Sequence, residues 1–256
     1  PGVEDAGDGE ARVAAQVGPN EGRLLRCRPL VPDSVLDEKT AKGMLAEAGL
    51  PVPSSQVCRD TKSAVTAAQN MGYPAVIKGH GVALAHKSEL GAVAVNLVDD
   101  AAVESASHTI LALDGVEAVL VEAMVQDGVA EIIIGIKRDP TLGLGLILGS
   151  GGILTELVRD TITLMLPVTP AAIADALGGL RCHALLTGFR GKPAGDIPAL
   201  IGAIAGVARF AEDHADTLME LDINPVIVRP EGKGVAAVDA LIRLGVDIWT
   251  PLHAAE

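Results

Sequence analysis

The sequence predicts an α/β fold. Strand-type and helix-type patterns alternate from Leu36 to Leu241, and the residues available for a core are almost all aliphatic. A chain of 256 residues can bury such a core unaided, at the upper end of one domain or the lower end of two. Hydrophobic residues make up 49% of it with one Trp, one Tyr and two Phe, so Ala, Val, Ile and Leu must do the packing.

Residues 1–34 are rich in Gly, Asp, Glu and Pro without a sustained apolar period, which reads as a linker or tail. An opening Pro in place of Met reads as a fragment or a processed chain. From Leu36, the spacing of Thr40, Met44, Leu45 and Ala48 predicts a helix, with Ser34 or Asp37 as N-cap and Gly49 as its stop. After Leu50-Pro51-Val52-Pro53, a short strand is expected over 55–59, a helix over 62–71, and a buried strand ending at Lys78. A glycine-containing segment, 79–86, leads to a strand over 92–97. A helix over 100–113 and a strand over 118–124 come next. Residues 130–137 and 142–148 read as a hairpin around Asp139-Pro140. Gly149-Ser150-Gly151-Gly152 opens 153–159, helices are expected near 170–177 and 197–214, and strands over 218–228 and 235–241 flank a turn at Pro230 to Lys233.

A formal charge of −13 disfavours nucleic acid and anionic membrane as partners. Cys27, Cys58 and Cys182 are odd in number and contain no CxxC pair, against a disulfide framework or structural zinc and in keeping with a reducing, cytoplasmic setting. No apolar run approaches membrane-span length, and the acidic N-terminus lacks the pattern of a secretory signal.

Four places could carry chemistry. Lys78 closes a buried strand, where α/β proteins open a ligand crevice; it is either a phosphate contact or a lysine reaching out to water. Gly149, Gly151 and Gly152 let backbone N–H groups approach an anion, or form an ordinary turn; no Walker lysine follows. Alternation places Glu220, Asp222 and Asn224 on one strand face, and the returning strand can bring Asp239 alongside. Convergent hard oxygens suit magnesium, the alternative being a solvated acidic strand. His86, in a glycine-flanked segment, could attack phosphorus as neutral imidazole. The other histidines, His80, His108, His183, His214 and His253, read as structural.

Taken in order, Gly49 to Pro53, Val76-Ile77-Lys78, His86-Lys87-Ser88-Glu89-Leu90-Gly91-Ala92-Val93 and Glu220 to Pro225 resemble the ATP-grasp subunit of ADP-forming acetyl-CoA and acyl-CoA synthetases. These are distant relatives of the succinyl-CoA synthetase β subunit. Further matches are Glu131 to Gly135 with Arg138-Asp139-Pro140, Gly149 to Glu156 with Asp160, and Leu185 to Gly191; the likeness spans about residues 35–245. The resemblance implies an ATP-grasp fold, α+β lobes holding ATP or ADP between a small N-terminal lobe (about 35–115) and a larger C-terminal lobe (about 116–256). It implies Lys78 on the ATP phosphates, Glu122 at the hinge near adenine, and Glu131, Gly149, Gly151, Gly152 and Glu156 in nucleotide binding. Asn224 and Asp239 are implied as Mg2+ ligands, beside the Glu220 and Asp222 that alternation already offers as metal ligands. His86 would be the phosphate-accepting histidine, with Arg190 also catalytic. CoA would enter through an α subunit or fused CoA-binding domains, in an oligomer. Two departures stand out: the usual His-Lys-Ser-Asp-Val-Gly-Gly-Val has Glu89, Leu90 and Ala92, and the Phe-Gly after Arg-Asp-Pro is Leu142-Gly143. A nucleotide-sensing or assembly module without turnover, and a carboxylate–amine ligase of the same fold, remain alternatives.

Overall fold

The computed structural model describes residues 12–13, 30–81, 90–152 and 160–247. It consists of two sheets. The smaller contains β3 (Ser55–Cys58), β6 (Ala118–Ala123), β4 (Ala75–His80) and β5 (Val93–Leu97), antiparallel in that spatial order. One face carries α2 (Thr61–Met71) and α3 (Asp100–Leu111), whose N-caps Asp60 and Asp99 accept from the amides of Ser63 and Ala102. Ala75, Ile77, Val119 and Val121 meet Ala64, Ala67, Ala68, Val103 and Ile110 there. Because strand side chains alternate, Lys78 and Glu122 leave by the opposite face.

The larger sheet has eight strands among the described residues. Its path runs β1 (Arg12–Val13), β9 (Thr161–Met165), β8 (Gly143–Ser150), β7 (Ala130–Asp139), β10 (Leu218–Val228), β12 (Leu241–Asp247) and β2 (Leu30–Val35). β11 (Val235–Ala237) also pairs with β10. Ile132, Ile134 and Ile136, Leu144, Leu146 and Leu148, and Leu221 and Ile223 share one core with α4 (Pro170–Gly179), the short α5 (His183–Leu186) and α6 (Ile197–Asp213). α1 (Glu38–Glu47) lies between the sheets: Ala41 and Leu45 enter the large core, while Lys39 Nζ donates to Ser55 of β3.

Most expected elements are present within a residue or two, including the β7–β8 hairpin, with Asp139 opposite Gly143. Four expectations are corrected. Residues 30–35 are an edge strand paired with β12 rather than tail, tolerating Pro32 because an edge needs fewer ladder donors, and β1 also joins the large sheet. The small lobe extends through β6, past the expected boundary at 115, because β6 is its second strand, and α1 packs into the large core. Residues 235–241 form no continuous strand, since Val238 to Ala240 interrupt the path beside β10. β9 and α5 were not anticipated. The expected element at 153–159 lies outside the described residues.

The α1–α6 contact makes a paired test of this packing. A Cβ on Gly206 would stand 2.8 Å from the carbonyl oxygen of Ala48, whereas one on Gly202, in the same helix, would meet nothing within 4 Å. Gly202→Ala should raise stability by up to ~1 kcal/mol in urea titration, and Gly206→Ala should lower it despite the same gain in helix propensity.

Candidate functional site

The strand end singled out in the sequence leads into a buried cluster of charges. Lys78 is 6% exposed, and its Nζ lies 2.6 Å from Glu38 Oε1 and 3.0 Å from Glu122 Oε2. Lys42, 1% exposed, lies 2.7 Å from Glu38 Oε1, 2.7 and 2.9 Å from the two Glu122 oxygens, and 2.5 Å from the Val238 carbonyl oxygen. Lys78 Nζ donates to the same carbonyl. The four charges come from α1, β4 and β6, so the cluster joins the small sheet to a helix of the large core. Burial favours the neutral form of Lys78, but Glu38, Glu122 and Asp239 outweigh it and raise its pKa. Burial and then the Lys78 charge lower that of Lys42. The two ammonium groups compete for the same carboxylates, and Lys78, with Asp239 as well, is the more firmly held in its charged form.

Pro225 explains why Val238 accepts from side chains. Val238 N–H donates to the Pro225 carbonyl at 3.2 Å. In an antiparallel hydrogen-bonded pair the partner returns such a bond, but proline has no N–H to return it. The Val238 oxygen is thus available to the lysines. The interruption also organises the acidic residues. Val226 pairs with Ala237 and Asp222 with Leu241, so continuing the register inward sets Asn224 opposite Asp239. Asp222 is exposed; partial desolvation of its carboxyl, then Asp239 and Glu220, raise its pKa. Glu220 is drawn towards Arg243, with 3.6 Å between Oε2 and Nε. Among the described residues no three acidic, histidine or cysteine side chains form a group able to hold a metal, so the expected convergence of Glu220, Asp222 and Asp239 is not present in that form. What the register brings together is narrower: Asn224 and Asp239, with Asp222 in their field.

The glycine segment is shaped by its own neighbours. A Cβ on Gly149 would stand 2.8 Å from the Asp160 carbonyl oxygen, one on Gly151 2.9 Å from the backbone of Glu131 and Ile132, and one on Gly152 2.1 Å from Glu131 Oε2. Gly152 has a φ of +78°, and Gly151 N–H donates to the Glu131 carbonyl at 2.8 Å. The glycines expected to approach an anion are required, in this structure, by contact with β7 and β9. Glu131 is exposed beside them. Asp160 fastens the segment from behind, accepting from Ser150 Oγ at 2.7 Å and from the amides of Arg181 and Cys182 at 2.9 and 3.0 Å. Arg190 is exposed on the loop after α5, at a φ of +50°, with its guanidinium 5.2 Å from the Phe189 ring centre. His86 and Glu156 lie outside the described residues. The segment bearing His86 is bounded by neighbouring strands: Gly79 N–H, on β4, donates to the carbonyl of the fully buried Ala92 at 2.7 Å.

Glu38, Lys42 and Val238 were missed in the sequence. The signal for the first two was available: they are four residues apart, and their helical spacing from Ala41 and Leu45 places two charges on an otherwise apolar face.

An antiparallel sheet and a larger, mostly antiparallel one meet at a lysine-centred junction, and known proteins share this architecture. Residues 31–244 match the ATP-grasp domain family. The chain is 30% identical to the β subunit of an ADP-forming acetate–CoA ligase II from Pyrococcus furiosus, over 81% of this chain and 90% of that one. It is 37% identical to a trans-feruloyl-CoA synthase from an unknown prokaryotic organism, over 81% of this chain but 30% of that protein. Among solved structures, the dinucleotide-forming acetyl-coenzyme A synthetase 1 of Ca. Korarchaeum cryptofilum, in complex with coenzyme A, Ca-AMPCP and HgCl+, superimposes with a TM-score of 0.76 at 32% identity. That match covers 82% of this chain and 93% of that one. The chain belongs to the ATP-grasp family, in the branch that contains the β subunits of ADP-forming acetate–CoA ligases. It spans about 30% of the length of the trans-feruloyl-CoA synthase and of an ADP-forming 4-hydroxybutyrate–CoA ligase that it also matches, and among its described residues no helix is long and apolar enough to cross a membrane.

Asp160 gives a pH test of the glycine segment. Burial alone would raise its pKa, but the Arg181 amide, Ser150 and the Cys182 amide together lower it. A folded pKa below the unfolded value of about 3.9 means the group stabilises the protein above that pH and loses this contribution as pH falls through the lower folded value. Asp160→Asn should therefore lower the melting temperature at pH 7 and flatten its decline between about pH 4 and 2.

Proposed function

We propose that this chain is the ATP-grasp part of an ADP-forming acyl-CoA ligase, transferring phosphate between ATP or ADP and His86. Together with CoA-binding partner domains, it serves the reaction carboxylate + CoA + ATP ⇌ acyl-CoA + ADP + phosphate. The observation that carries the proposal is Lys78: a charged lysine at the seam of two sheets, beside Asp239, in a chain of this family. Low dielectric at such a seam strengthens an ammonium–phosphate contact. Lys78 binds and orients the ATP phosphates. Glu131 and the Gly149 to Gly152 turn, with Glu156 after them, take part in nucleotide binding, and Glu122 acts through Lys78. Arg190 reaches the transferred group from its exposed loop.

Asn224 and Asp239 fit a magnesium ion that keeps several waters, because Mg2+ takes few protein oxygens besides phosphate. Asp239 and Glu220 both act on Asp222, so the charge of these neighbouring carboxylates is one a cation would offset. When bound, the ion neutralises phosphate charge. In the transfer itself, a neutral imidazole nitrogen of His86 forms a bond to the γ-phosphorus of ATP as the bond to the β,γ-bridging oxygen breaks, and ADP leaves. Phosphohistidine then delivers the group to the partner domains. His86 follows Lys78 by eight residues in the sequence, between strands that the Gly79 N–H to Ala92 carbonyl bond holds side by side. The partner is an α subunit or fused domain in a larger assembly, and the compartment is the cytoplasm.

Two outcomes are expected. Calorimetric titration should show nucleotide binding with magnesium and little with chelator, Asp239→Asn should weaken the metal-dependent part, and equal affinity with chelator would contradict the assignment. Incubation with γ-labelled ATP and the partner domains should give acid-labile, alkali-stable label that His86→Ala abolishes. Lys78→Ala should slow labelling by roughly 2–4 kcal/mol of transition-state stabilisation. A parent chain that binds nucleotide but never takes label would instead be a sensing module.

A further inference from the structure

Lys42 lies behind Lys78 and is wholly committed. Its three N–H donors meet Glu38, Glu122 and the Val238 carbonyl, which account for all it can donate. Lys78 meets the same three partners from the more open side. Two ammonium groups and two carboxylates give the cluster a formal charge of zero, and every acceptor that Lys78 uses is shared with Lys42. With Lys42 in place, a Lys78 that turns towards a phosphate leaves each partner still bonded to a cation. Without it, the same movement would strand two buried carboxylates, an arrangement protein interiors resist strongly.

We infer that Lys42 is a positioning residue for nucleotide binding: it acts as a standing counter-ion that frees Lys78 to exchange carboxylate for phosphate. The inference rests on Lys78 being the phosphate contact. It explains why α1, which contributes apolar residues to the large core, also carries two charges on its buried face. Lys42 need not touch the nucleotide, and at 1% exposure it has no path to do so.

The test is calorimetric titration of the chain with magnesium and the non-hydrolysable ATP analogue AMPPCP, with thermal melting in parallel. Lys42→Met should weaken binding roughly 10- to 100-fold, the range for loss of a hydrogen bond to a charged group. Because it acts through Lys78, the double variant with Lys78→Ala should bind no more weakly than Lys78→Ala alone. Should Lys42→Met fail to fold, Glu38→Gln/Lys42→Met restores charge balance and with it the melting temperature. Its affinity should nonetheless stay low, because Glu122 would still lose its last cation when Lys78 moves. Parent-like affinity in either Lys42 variant would overturn the inference, as would a Lys42 effect that persists undiminished in the Lys78→Ala background. Parent-like affinity in Lys78→Ala alone would instead remove the underlying assignment of Lys78.

Discussion

Two lysines and two glutamates, nearly removed from water, gather around one backbone carbonyl, and the junction between the sheets depends on that arrangement. Desolvating charges is costly, and Coulomb attraction offsets the cost only when hydrogen bonds are complete. Here they are: Glu38 and Glu122 each bridge both lysines, and the Val238 oxygen accepts from both. The carbonyl is available because Pro225 on β10 has no N–H for it. A single proline thereby links the course of the large sheet to the electrostatics of the small one.

The same interruption sets the oxygen-bearing residues. Asn224 precedes the proline and Asp239 follows Val238, so the break that exposes the carbonyl also sets an amide and a carboxylate opposite each other. Lys78 is thus in contact with Glu38 and Glu122, and Asp239 adds to the negative field around it. A cation held by a fixed counter-ion set near a further carboxylate suits a polyanion that arrives with a metal. The glycine segment contributes differently: its shape is imposed by contact with Glu131, Ile132, Asp160 and Thr161.

Much of this was legible in the sequence, because local signals were strong. Asp37, Asp60 and Asp99 each precede a helix and cap it, and alternation in 75–78 and 118–123 gives both faces of the small sheet. Lys78, Asp239 and the glycines stood out in the sequence, since their types are unusual for their positions, and the glycines' reason in the structure is close backbone packing. The ion cluster was not, because Lys42 and Glu122 lie 80 residues apart and Lys78 and Val238 160 apart, contacts that periodicity does not carry. Sheet membership failed for the same reason: β6 resembles any buried strand, and only its pairing with β3 and β4 assigns it to the small lobe. Alternation offers Glu220 as a metal ligand but says nothing of Arg243, which the structure sets beside it on the neighbouring strand.

On the proposed reading Lys78 exchanges carboxylate for phosphate while Lys42 stays in place, and a crystal structure of the chain with magnesium and AMPPCP would show it. Lys78 Nζ should then lie within hydrogen-bond distance of a phosphate oxygen, its contact with Glu38 or the Val238 carbonyl lost, and Lys42 still on Glu38 and Glu122. A bound nucleotide with Lys78 still holding both carboxylates and no phosphate oxygen in reach would contradict it.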